Sequence, residues 1–167
     1  KNYLDYQDDV NFEKDEWGAQ NKYNGICCLA SINGLYSRKG EKFISVPHIE
    51  VSLSPFFNKF PHSVLHGELF NDEYRQQLNE ISKLCRKTVH ITEEDFKRSE
   101  QLIRYYIYDG YFSDVELPQE APYKLRKSFI DNEVIGKYEY CELVPTVPIK
   151  SKDDLDKEFK TRIRKND

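Results

Sequence analysis

Residues 26–32 form an apolar, strand-like run. Asn33–Gly34 behind it is a strong short hairpin turn, from which residues 35–38 return. Val46, Ile49, Leu53, Phe56 and Phe60 then recur at helical spacing. Ser45 is placed to cap that helix and Pro47 falls in its first turn, while Pro55 is expected to break or kink it. Residues 63–70 read as a second strand region. Tyr74, Leu78, Ile81 and Leu84 mark an amphipathic helix behind Asn71 and Asp72 as candidate caps. Thr92-x-x-Asp95 has the form of a capping box with Asp in place of Glu. A tyrosine-rich strand over 102–112, a helix over 122–130, a strand region over 138–149 and a helix over 151–164 complete the pattern. Leu155, Phe159 and Ile163 stripe that last helix. Hairpin-connected strands mixed with helices predict an α+β fold rather than a doubly wound parallel sheet.

Residues 1–17 are polar and acidic, with Tyr3, Leu4, Tyr6, Val10 and Phe12 as scattered anchors. They read as a loosely structured lead-in with one short helix. The expected division is residues 1–18 as this segment and 19–167 as one domain. With 167 residues the chain suits one domain, and 14% aromatic residues argue against disorder. No apolar run approaches the ~18 residues of a membrane span, and no basic-then-apolar leader opens the chain. The first residue is Lys1 and methionine is absent, so a longer natural protein is expected.

Twenty-five basic against 29 acidic residues leave a net charge of −4. Any contact with nucleic acid must then come from local basic groups such as Arg86-Lys87 or Lys124, Arg126 and Lys127. Cys27, Cys28, Cys85 and Cys141 show no C-x-x-C spacing, so no zinc site is expected. They suit a reducing, cytoplasmic compartment and read as small buried hydrophobes, with Cys27 and Cys28 on opposite strand faces. His48, His62, His66 and His90 lack metal-ligand spacing and read as structural or surface residues.

Three short segments carry the candidate chemistry through their order: Lys22-Tyr-Asn-Gly-Ile-Cys27, Ser37-Arg-Lys-Gly40 and His66-Gly-Glu-Leu-Phe70. With Tyr105-Tyr-Ile-Tyr-Asp109 and the basic Tyr123–Lys127 behind them, they resemble the nucleotidyltransferase domain of ATP-dependent DNA ligases. Residues 37–88 look most like small phage and viral members. The family's first motif is Lys-x-Asp-Gly-x-Arg, its second Ser-Arg-x-Gly, its third Asp-Gly-Glu-hydrophobic. Asn24, Cys27 and His66 depart from the usual Asp, Arg and Asp. The family's fourth and fifth motifs (Glu-Gly before a hydrophobic strand, then Lys-x-Lys) are not in this sequence, nor is its small OB-type barrel domain.

The resemblance implies a ligase that uses ATP and Mg²⁺, forms a lysyl-AMP on Lys22 and seals nicked duplex DNA as a monomer. It places Gln20 at the adenine edge and Gly25 where the backbone meets the nucleotide. Arg38 falls on the ribose and phosphate side, and Glu68 on the ribose hydroxyl with a part in positioning Mg²⁺. Tyr108 would stack on adenine, with Tyr106 as a same-face competitor. An RNA ligase or capping-type nucleotidyltransferase is the nearer alternative. A degenerate ligase-like module that binds nucleic acid without chemistry is the further one, motivated by the three departures.

Overall fold

The computed structural model describes residue 8, residues 10–117 and residues 120–166, with side chains as far as 162. The lead-in anchors Tyr3, Leu4 and Tyr6 lie outside the described residues, and the Ile163 side chain of the last stripe lies beyond the described side chains. In chain order the elements are β1 (Trp17–Gln20), β2 (Ile26–Ser31), β3 (Gly34–Tyr36), α1 (Pro47–Lys59), β4 (Val64–Phe70), α2 (Leu78–Cys85), α3 (Glu93–Leu102), β5 (Arg104–Tyr111), α4 (Tyr123–Val134), β6 (Cys141–Leu143), β7 (Thr146–Ile149) and α5 (Lys152–Asn166). They fall into two compact units, residues 22–144 and residues 1–21 with 145–167.

The larger unit is built on a five-stranded sheet in the order β3-β2-β4-β5-β6. Its first three pairings are antiparallel and β5–β6 is parallel, so the fold is α+β as expected. Period-two alternation gives the sheet two unlike faces. Cys28, Ala30, Leu65, Gly67, Leu69, Tyr105 and Ile107 are buried, in a core they share with Ile49, Leu53 and Phe56 of α1 and Ile81 of α2. Cys27, Leu29, His66, Glu68, Tyr106 and Tyr108 occupy the opposite, partly open face. Tyr105 is fully buried, and its hydroxyl lies 3.1 Å from the Cys28 carbonyl oxygen and 2.8 Å from that of Leu65.

Several local expectations shift. The hairpin turns at Ile32–Asn33, one residue earlier than expected, with Gly34 paired to Ser31. Gly34 has φ +114° while Ile32 and Asn33 keep negative φ. A right-handed turn followed by one left-handed glycine therefore replaces the mirror-image turn, which needs two positive φ values. Ser45 does not cap α1. Val46 holds that position, and the Ser45 hydroxyl donates to the Cys85 carbonyl while its own carbonyl accepts from Ser99. Those two bonds tie the start of α1 to α2 and α3. Helix α1 continues through Pro55. Proline removes the N–H that Val51 O would accept, and the Ser54 hydroxyl takes its place at 2.8 Å.

Helix α2 begins at Leu78. Asn71 caps the turn at Tyr74 instead, which leaves Tyr74 outside the helix. The Thr92–Asp95 capping box forms with both reciprocal bonds. Helix α4 runs on past Ile130 to Val134. The strand region over 138–149 divides into β6, which joins the large sheet, and β7, which pairs with β1 in the smaller unit. In that unit Gln20 lies opposite Thr146, and its amide donates to the Thr146 hydroxyl at 3.1 Å. Phe159 of α5 is 64% exposed, so the expected stripe is not buried there.

Candidate active site

Strand register gathers the motif residues on the open face. Cys27 of β2 lies opposite Glu68 of β4, and Glu68 opposite Tyr106 of β5. The β4–β5 register shifts between His66 and Gly67: Gly67 pairs with Ile107 and His66 with Asp109. Tyr108 is the extra residue of that bulge, and a bulge re-aims its side chain. Two glycines permit the close strand approach. A Cβ on Gly67 would lie 2.4 Å from the Tyr106 carbonyl oxygen, and one on Gly25 would lie 2.4 Å from that of Leu69 and 2.7 Å from Glu68 Cγ.

Lys22 is exposed in the segment between β1 and β2, four residues ahead of Ile26. Its neighbour Tyr23 packs between Phe70 and Tyr106, with ring centroids 4.9 and 4.5 Å away, and so anchors the lysine segment at the edge of the open face. Asn24 instead donates to the Arg75 carbonyl at 3.4 Å. The second motif is a tight turn. Buried Ser37 accepts at its hydroxyl from the N–H groups of Lys39 and Glu41, and Gly40 adopts φ +80°. Arg38 between them points outward, its Nε donating to Cys27 Sγ at 3.1 Å.

Glu68 is half-buried. Burial pushes its carboxyl above the usual range, against the opposing charges of Arg38 and Lys22. His66 and Tyr108 form a second layer of the site, with Tyr108 Oη 2.9 Å from His66 Nε2 and ring centroids 4.6 Å apart. Burial lowers the His66 pKa, with Asp109 opposing and Arg38 assisting, and burial raises the Tyr108 phenol well above its ordinary range. Both directions favour a neutral pair in which the phenol donates to the imidazole nitrogen.

Tyr106 packs against Tyr23 and Phe70, and burial pushes its phenol up to about 12. Asp109 receives both Nε and Nη2 of Arg126 at 2.8 Å. Lys127 pairs with Asp131, Lys87 with Asp95 and Arg86 with Glu41. The basic residues named as local patches are thus largely engaged in ion pairs.

Cys27 and His66 are the site residues that sequence reasoning passed over, one as a small hydrophobe and the other as structural. Cys27 Sγ lies 3.4 Å from His66 Nε2. The Cys27 and His66 positions, where the ligase family carries Arg and Asp, are diagonal neighbours across the β2–β4 pair. Departure from the pattern at both positions was the available signal, but only register shows that they meet. Cys28 and Cys85, by contrast, are buried free thiols, as expected.

Among the described residues no group of three or more His, Cys, Asp or Glu side chains is arranged to hold a metal. One half-buried carboxylate, Glu68, fits a Mg²⁺ that arrives on nucleotide phosphates and keeps most of its waters, not a protein-built metal centre. Among the described residues no helix is long and apolar enough to cross a membrane.

The fold is that of the nucleotidyltransferase domain of ATP-dependent DNA ligases. A Lig E DNA ligase, solved in a study of DNA binding with a minimal scaffold, superposes with a TM-score of 0.64 at 15% identity, over 96% of this chain and 55% of that one. The bacteriophage T7 ATP-dependent DNA ligase in complex with ATP gives 0.62 at 15% identity, over 87% and 52%. Chlorella virus DNA ligase–adenylate gives 0.51 at 16% identity, over 87% and 48%. The chain spans about half the length of these solved ligases. No protein-family profile matches the sequence, and no curated protein does.

Proposed function

We propose that this chain is the adenylation part of an ATP-dependent DNA ligase of small phage or viral type, working as a cytoplasmic monomer on nicked duplex DNA. The observation that carries the reading is that three motifs meet on one face of the sheet: Glu68 lies opposite Cys27 in register, Arg38 donates to the Cys27 sulfur, and Tyr23 anchors the Lys22 segment at the edge of that face. An amine attacks only in its neutral form. Neutral Lys22 Nζ attacks the α-phosphorus of ATP; the P–N bond forms as the bond to the bridging oxygen breaks and pyrophosphate leaves. AMP then passes to a DNA 5′-phosphate, and a 3′-hydroxyl displaces it to close the nick.

In this scheme Arg38 presents its guanidinium to the ribose and phosphate side, where a fork of donors suits phosphate oxygens. Glu68 holds the ribose hydroxyl and is the residue that would touch Mg²⁺, which when bound neutralises phosphate charge. Tyr108, re-aimed by the bulge and held by His66, offers its ring to adenine. Gly25 lets the backbone approach the nucleotide. Gln20 as reader of the adenine edge rests on the sequence resemblance.

The test gives the complete protein radiolabelled ATP and Mg²⁺. An acid-stable AMP adduct on Lys22 is expected. Mass spectrometry that places the adduct on another lysine, or finds none on active protein, would sink the assignment. The Cys27–His66 contact favours one second reading, a non-catalytic module that binds nucleic acid. DNA binding without any adduct would decide for it.

A further inference from the structure

The open face of the sheet holds a group that the adenylation scheme leaves without a task. Cys27 Sγ accepts from Arg38 Nε at 3.1 Å and lies 3.4 Å from His66 Nε2, beside Tyr108. Reactive cysteines sit in partly exposed, electropositive surroundings. Cys27 meets both conditions: it is half-buried, and the Arg38 guanidinium sits directly on its sulfur. The other thiols do not. Cys28 and Cys85 are buried, and burial raises Cys28 and pushes Cys85 up to about 12. Cys141 is partly exposed, but its neighbour is the Glu142 carboxylate rather than a cation, and burial with that charge pushes its thiol to about 12.

We infer that Cys27 is a thiol-modification site for small anionic disulfides of the glutathione disulfide class. Its sulfur attacks one sulfur of the disulfide. The new S–S bond forms as the reagent's own S–S bond breaks, and one glutathione thiolate leaves. The thiol proton passes through water to that thiolate, so one thiol and one disulfide give one mixed disulfide and one thiol. Arg38 and Lys22 supply the positive field for the reagent's carboxylates. The adduct then covers Arg38 and Glu68, and on the reading of these residues as the nucleotide site it excludes ATP.

The experiment exposes the folded chain to glutathione disulfide or to the cationic disulfide cystamine. Labelling at each cysteine is mapped by mass spectrometry, and every rate is divided by the rate on the urea-unfolded chain. Expected is a normalised rate at Cys27 about tenfold or more above those of Cys28, Cys85 and Cys141. The anionic reagent should also be favoured over cystamine at Cys27, and Arg38→Gln should erase that preference. Labelling of Cys27 no faster than of Cys141, or a preference for cystamine, overturns the inference. ATP should slow the labelling of Cys27. Fast, anion-selective labelling that ATP leaves unchanged upholds the thiol site and overturns the nucleotide-site reading instead.

Discussion

Replacing Glu68 by Gln should separate catalysis from folding, with effects of opposite sign. The side chain projects from β4 on the open face, while Gly67 and Leu69 on either side are buried. Packing against the core therefore does not depend on the carboxylate. Burial raises the folded-state pKa above its unfolded value, so the ionised form is disfavoured in the fold. Between the unfolded pKa of about 4.3 and the raised folded value, the native state binds more protons than the unfolded one. Stability contributed by this group is therefore fully present below about pH 4 and declines as pH rises through the folded pKa. Glu68→Gln removes that decline, and at neutral pH the variant should be as stable as the parent or slightly more so. Catalysis should move the other way. Losing one charge-assisted hydrogen bond costs about 1.5–3 kcal/mol, or about tenfold to a hundredfold in adenylation rate. Urea denaturation across pH 4–8 and single-turnover transfer of labelled AMP measure the two effects. A variant clearly less stable at neutral pH, or one that adenylates at the parental rate, would refute the assignment of Glu68 as a site carboxylate with no structural duty.

Four further outcomes are expected. Gly25→Ala puts a methyl group 2.4 Å from the Leu69 carbonyl oxygen and should cost about 1–3 kcal/mol in urea unfolding; a change below about 0.5 kcal/mol contradicts the close approach. Tyr105→Phe strips the hydroxyl from two buried carbonyls and should cost about 1–3 kcal/mol, with no loss expected only if water replaces it. Asp95 is held down to about 2, first by Lys87 and then by the Thr92 N–H and hydroxyl, so its contribution is present above about pH 4 and lost as pH falls toward 2; acid unfolding of Asp95→Asn should lack that segment of the curve. The complete protein should seal a nick in duplex DNA better than it joins single-stranded RNA ends, and side-by-side assays with a clear RNA preference would select the RNA-ligase alternative.

Local chemistry was legible wherever one residue decides the outcome. The Thr92–Asp95 box, the proline opening α1, the hairpin between β2 and β3, and the opposed faces of Cys27 and Cys28 follow from side-chain reach and strand alternation. The order of the Lys22, Arg38 and Glu68 motifs was enough to anticipate an α+β ligase-type fold, because each motif needs a backbone feature that its own residues supply. Ser37 and Gly40, for example, fold the turn that presents Arg38.

What escaped the sequence depends on partners far along the chain. Ser45 is a plausible cap by itself, yet Cys85 and Ser99 claim its polar groups. Pro55 breaks a helix in isolation, but the Ser54 hydroxyl satisfies the carbonyl it orphans. Alternation left Tyr106 and Tyr108 equivalent, and the β4–β5 bulge distinguishes them by freeing Tyr108 from the ladder. Cys27 and His66 become neighbours only through strand register, which the pairing of whole strands sets and no local window of sequence contains.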